Sequence, residues 1–233
     1  MGKKQLTTEQ KRLETDLWLI ALITFAVFGC YAVMGNSLMS FVKDEDVPVM
    51  LRLFANAVVQ FGVAGLGITV VCMMRKESFV QFGLKKDKLV NAIIGTALCF
   101  VPVICYILVS GQYRGYQPFH IMIAADVLAG GLPAALCGMA VIAIVWGFFE
   151  GFNYAVVCEK INRRYPPKSF WLDYGARSCA VICILFHPVS LSFWGVVDII
   201  TTFIAIYGML LVKKKTGNAW GCVFAFCFIW NAI

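Results

Sequence analysis

The chain has 233 residues, 61% of them apolar, a mean hydropathy of +0.80 and a net charge of +7. Soluble domains are roughly half apolar, so this composition excludes an ordinary soluble globular protein. The positive charge does not indicate nucleic acid: the basic residues sit in short loops between apolar runs, the pattern that orients membrane proteins.

Several apolar runs approach or exceed the ~20 residues that cross a bilayer as a helix. Alternation of the β-barrel kind is absent. The expectation is an all-α, polytopic transmembrane helical bundle in one domain over residues 1–233, with about seven spans and one short interfacial or re-entrant helix. The ten cysteines lie mostly inside apolar runs with no CxxC pair, where cysteine acts as a small apolar residue.

Residues 1–16 are polar and basic, with Lys3, Lys4, Lys11 and Arg12. The first span is expected over 17–39. It is too long for a signal-peptide core and reads as a retained signal anchor. An acidic loop over 41–47 leads to a second span over about 53–74, with Arg52 at its outer edge. A basic loop, RKESFVQFGLKKDK, fills 75–88, and a third span over 89–110 contains Pro102. Residues 121–133 are apolar but short, hold Asp126 and end in Gly130, Gly131 and Pro133. They read as the non-spanning helix. The fourth span covers 134–158 and carries Glu150. The fifth covers 177–194, with His187 followed by Pro188 at a kink. The sixth covers 195–212, with Asp198 near its start. The turn KKKTGN leads into a seventh span over 219–233.

Counting Lys and Arg gives four in the N-terminal segment, five in 75–88, five in 159–177 and three in 213–218, which is 17 of 20. Lys43, Arg52 and Arg114 fall on the other side. The alternation is unbroken over seven spans, so the N-terminus and basic loops are expected in the cytoplasm. A bacterial plasma membrane suits this pattern, and an endoplasmic-reticulum membrane would be charged the same way.

A carboxylate inside a span is costly and usually faces a bundle interior or a water-filled cavity. With a helical rise of 1.5 Å per residue, Glu150 lies about 12 Å from the cytoplasmic end, Cys227 about 13 Å, His187 about 15 Å and Asn231 about 20 Å. Four groups on three helices thus share similar layers, with Cys227 and Asn231 four residues apart on one face. A carboxylate and an imidazole in a low-dielectric cavity are the parts of a general base for water. An amide near a reacting carbonyl could stabilise an oxyanion. Structural roles are open for each: Glu150 paired with a basic residue, His187 filling a freed carbonyl, Asn231 bridging helices. Cys179, Cys183 and His187 share a face and with Cys227 could form a soft metal site, although small cysteines packing helices together explain the same pattern. No cofactor is required by the sequence. A divalent metal such as zinc lacks support, because one Glu and one His fall short of the usual three-ligand set.

The stretch WGFFEGFNYAVV, the His187 segment and CFIWNA resemble the CPBP family: the CAAX proteases, including the Ras-converting endopeptidase, and bacterial relatives linked to bacteriocin processing and immunity. The likeness covers 146–233, within a family-like core over 134–233. SFVQFGLKKDKL resembles the basic loop of bacterial members, and KKKTGNAW their turn before the last motif. The resemblance implies that Glu150 is the water-activating base, His187 its partner and Asn231 the oxyanion-stabilising amide. The chain departs from the family at Gly151 and Ala155, where a second glutamate and an arginine are usual, at Cys183 in place of phenylalanine, and at Cys227 in place of histidine. The implied activity is intramembrane endopeptidase cleavage of a peptide or protein substrate in a cytoplasm-facing cavity, in contact with the lipid bilayer and not with nucleic acid. The alternative is a catalytically inactive relative that binds a peptide or partner, or confers bacteriocin self-immunity. A small transporter, suggested by Asp126, Glu150 and Asp198, finds no inverted internal repeat to support it.

Overall fold

A computed structural model describes residues 6–187 and 190–232. Lys3 and Lys4 of the basic N-terminus, Pro188 of the expected kink and Ile233 at the end of the last expected span lie outside the described residues. Within them the chain is all-helical: α1 Thr8–Lys43, α2 Val49–Arg75, α3 Leu89–Val109, α4 Ala124–Ala129, α5 Leu132–Arg164, α6 Tyr174–Leu185, α7 Phe193–Thr216 and α8 Trp220–Trp230. Five of them, α1, α2, α3, α5 and α7, are long and apolar enough to cross a membrane. The chain is an integral membrane protein on that ground, and α6 and α8 are shorter apolar helices.

Helix ends follow local chemistry. Thr7 caps α1 through a reciprocal box with Gln10, which satisfies orphan N–H groups at the first turn. Lys76, at φ 54°, closes α2 in the left-handed region. Pro133 sits in the first turn of α5, where its missing N–H is harmless. Helix α6 stops at Leu185, well short of the expected span end at 194. The sequence supplies the reason: a residue preceding proline is pushed out of the helical region, and His187 precedes Pro188.

Within 121–133 the structure forms the six-residue α4, and residues 132 and 133 already belong to α5. Ile121, Ile123, Ala124 and Val127 are buried against Leu53, Ala57 and Trp146 in a small apolar cluster of their own. Asp126 pairs with Arg52 at 3.0 Å, and Arg52 also donates to the Val42 carbonyl. The main core lies between α2, α3, α5, α6, α7 and α8.

The four basic segments meet at one end of the bundle. Arg163 and Arg164 of α5 pair with Glu9 and Glu14 of α1. Arg75 and Lys160 both hold Asp16, at 2.7 and 3.0 Å. Lys160 also holds Glu77 at 2.7 Å and is 0% exposed. Asn218 donates to the carbonyls of Lys85 and Asp87, each at 2.7 Å. Counting charges by loop places Lys160 in solvent. The structure instead extends α5 to Arg164 and buries Lys160 among carboxylates.

Asp173, at the start of α6, accepts from the Ala176 N–H at 2.8 Å, Asn162 at 2.7 Å and Lys214 at 2.7 Å. Burial pushes its carboxyl up, but the bonds from Lys214, Ala176 and Asn162 outweigh that and leave it below its ordinary 3.8. A depressed carboxylate adds stability above its unfolded value and loses it as pH falls through the folded one. The wild-type protein is therefore expected to lose stability in acid below about pH 4. Asp173→Asn should start less stable at neutral pH and show a shallower acid loss, read as detergent-solubilised unfolding midpoints against pH. Parallel acid profiles would contradict it.

Candidate active site

Three helices widen into π-helical turns where they meet: Gly62–Leu66 in α2, Ala143–Phe149 in α5 and Phe226–Trp230 in α8. The α5 segment touches both of the others. Such turns free backbone carbonyls and are frequent at functional sites. Each lies beside a polar side chain: Gln60 just before the first, Glu150 just after the second, Asn231 just after the third.

Glu150 and His187 line one cavity of about 540 Å³ between α1, α2, α5 and α6. Its wall is apolar apart from a few groups, among them Gln60, Asn56 and Asn153. Gln60 donates from Nε2 to Glu150 Oε2 at 3.1 Å. His187 lies just past the end of α6, where Nδ1 is 2.6 Å from the Cys183 carbonyl. A carbonyl only accepts, so Nδ1 carries the proton and Nε2 is left as the basic nitrogen. The ring meets Trp230 edge-on at 5.3 Å.

His187 also borders a second cavity of about 190 Å³ that holds Asp198 and Thr202. Thr202 donates to Asp198 at 3.4 Å. Asp198 thus stands on the opposite side of His187 from the Glu150 cavity.

Asn231 and Cys227 do not line the Glu150 cavity; they lie at the contact of α8 with α5. The Asn231 amide donates to the carbonyls of Trp146 at 3.3 Å and Phe226 at 3.0 Å, both within π-helical turns. It also stands close to the Glu150 carboxyl. The Asn231 carbonyl accepts from the His120 N–H at 2.6 Å, which ties the loop before α4 to the end of the chain. Cys227 packs its sulfur on Gly147. Cys183 Sγ lies 3.9 Å from His187 Nδ1. Among the described residues, no three His, Cys, Asp or Glu side chains are grouped to hold a metal ion.

Positions 151 and 155 of α5 are closely packed. A Cβ at Gly151 would sit 2.5 Å from the Cys222 carbonyl of α8. Ala155 is fully buried in the main core. A long charged side chain at 151 would meet α8, and one at 155 would be buried in the core.

Gln60, Asn56 and Asn153 were not singled out by sequence reasoning. The signal for Gln60 was present as a lone amide within an apolar run, VVQFGVAG, but only its Glu150 contact gives it meaning. No family model, curated protein or solved structure matches the chain.

Proposed function

We propose that the chain is an intramembrane endopeptidase of the CPBP type, with Glu150 and His187 as the residues that activate water. The reading is supported by one observation above the rest: a carboxylate and an imidazole with a free basic nitrogen line the same cavity in an apolar wall. In the reaction, water sits between Glu150 and His187 Nε2. Glu150 takes one proton as the oxygen attacks the peptide carbonyl. The amides on the cavity wall donate to the oxyanion, with Gln60 already engaged at Glu150. Collapse of the tetrahedral intermediate breaks the C–N bond, and the proton held by Glu150 passes to the leaving nitrogen. Asn231 braces the α5 turn that aims Glu150.

The finer topology belongs to the same reading. The five long helices cross the bilayer, and α6 and α8 with their flanking residues complete seven crossings. The basic end, where the N-terminal segment meets the three basic loops, faces the cytoplasm of a bacterial cell. The substrate is a peptide or protein at the membrane.

A second reading keeps the cavity and drops the chemistry, leaving a binding or immunity protein. The close packing at 151 and 155, the positions of the family's second glutamate and arginine, favours it. The two separate in one experiment: protein termini from cells expressing wild type are compared with those from cells expressing Glu150→Gln at matched level. New termini confined to wild type are expected. Identical profiles, with any phenotype preserved in both, would replace the endopeptidase with the binder.

A further inference from the structure

Three amide side chains line the Glu150 cavity: Asn56 and Gln60 of α2 and Asn153 of α5. Gln60 and Glu150 are joined by a hydrogen bond, which fixes their common level. Among the described residues it is the only hydrogen bond that any of the three side chains makes. Asn56 and Asn153 thus each present a free amide in a largely apolar wall, where an unpartnered polar group is costly. An amide offers two N–H donors and a carbonyl oxygen. An oxyanion takes donors only, so hydrolysis at Glu150 leaves the two Oδ1 atoms without a partner.

The places of the two asparagines restrict what supplies that partner. Helices α2 and α5 both run towards the basic end, α2 to Arg75 and α5 to Arg164. Asn56 precedes Gln60 by four residues and stands about 6 Å from the Glu150 level, away from the basic end. Asn153 follows Glu150 by three residues and stands about 4.5 Å from that level, towards the basic end. The two amides are therefore about 10 Å apart along the cavity, with Glu150 between them. An extended peptide advances about 3.3 Å per residue, so N–H groups three residues apart recur at that interval. Towards the basic end the wall continues as Leu17, Ile20, Val157 and Ile161, which suits uncharged, apolar side chains.

We infer that Asn56 and Asn153 hold the backbone of an extended apolar peptide, each accepting a substrate N–H on its own side of the scissile bond. The peptide lies across Glu150, and the wall supplies partners that an extended chain in an apolar cavity otherwise lacks. The inference rests on the reading of the cavity as a peptide site, and it needs none of the chemistry of Glu150.

The test uses the full-length Glu150→Gln chain in nanodiscs, so that binding is read without cleavage. The probe is a capped pentapeptide of leucines whose central residue is photoleucine, which carries a diazirine. Illumination is expected to give saturable label within 150–157 of α5. Asn56→Leu and Asn153→Leu keep the side-chain volume and remove the amide. Each should raise the half-saturating concentration about two- to tenfold, the usual worth of one hydrogen bond. An analogue with esters in place of its amides keeps the extended reach and has no N–H groups. It should compete about tenfold less well than the unlabelled peptide. That comparison changes neither asparagine, so it stands even where a variant folds poorly. Absence of saturable label in 150–157, half-saturation unchanged in both asparagine variants, or equal competition by the ester would each overturn the inference and leave water as the partner of these amides. New cellular termini alongside any of those results would keep the endopeptidase reading. Binding that depends on the backbone N–H groups, with no new cellular termini, would keep the inference and remove the endopeptidase.

Discussion

Glu150→Gln and His187→Gln are each expected to reduce proteolytic processing about 10²- to 10⁴-fold, the usual contribution of a positioned general acid or base. Both variants should insert and fold as wild type does. The carboxylate accepts from Gln60, and an amide oxygen at position 150 can accept the same bond. At 187, a glutamine amide can donate to the Cys183 carbonyl as Nδ1 does. What each variant loses is the proton acceptor, not its anchor. Processing by either variant within a few-fold of wild type, at equal protein level, would remove that residue from the mechanism.

Lys160→Met is expected to produce the largest loss of stability of any single change at the basic end. Lys160 is 0% exposed and bridges Asp16 and Glu77, which are 1% and 8% exposed. Removing one partner of a buried ion pair costs about 3 to 5 kcal/mol, because the remaining charge stays desolvated. The low end applies here, since Arg75 still holds Asp16 at 2.7 Å and Arg12 reaches Glu77 at 3.4 Å. Glu77 keeps the longer and poorer of these contacts. Adding Glu77→Gln to Lys160→Met should therefore recover part of the loss. The measurement is the unfolding midpoint in a mild detergent titrated with denaturing detergent. A Lys160→Met midpoint equal to wild type would contradict the burial of this network, and further loss in the double variant would contradict the charge argument.

Apolar run length placed the long helices, because crossing a bilayer demands sustained hydropathy that no local interaction can replace. It also marked 121–133 as too short to cross, and the structure packs residues 121–127 beside Trp146 while 132 and 133 begin α5. The segregation of lysine and arginine anticipated that four distant segments meet, as Arg163 with Glu9 and Asn218 with the 85–87 backbone show. Where α1 begins and where α5 ends was not legible from hydropathy. The polar first turns of α1 and last turns of α5 are held by cross-helix ion pairs, and no single segment contains both halves of a pair.

The candidate site divides in the same way. Glu150 and His187 stood out because ionisable groups are rare in apolar runs. The π-helical turns did not, since nothing in AIVWGFF or FCFIW distinguishes a widened turn from an ordinary one. They arise from packing: Gly147 lets Cys227 close against α5, and the freed Trp146 carbonyl is taken by Asn231. Depth alone put Asn231 and Cys227 in the same layer as Glu150. It could not tell whether they line the same cavity, and they do not. Gln60 escaped notice because an amide within a span has many structural uses, and its bond to Glu150 joins residues 90 apart in sequence.

The most direct measurement is the processing rate of purified wild type, Glu150→Gln, His187→Gln and the double variant on one substrate taken from the comparison of cellular termini. Groups that act on the same water are strongly non-additive. The double variant should be no slower than the slower single variant. Multiplied losses, with the two defects independent, would contradict a shared site and separate His187 from the chemistry of Glu150.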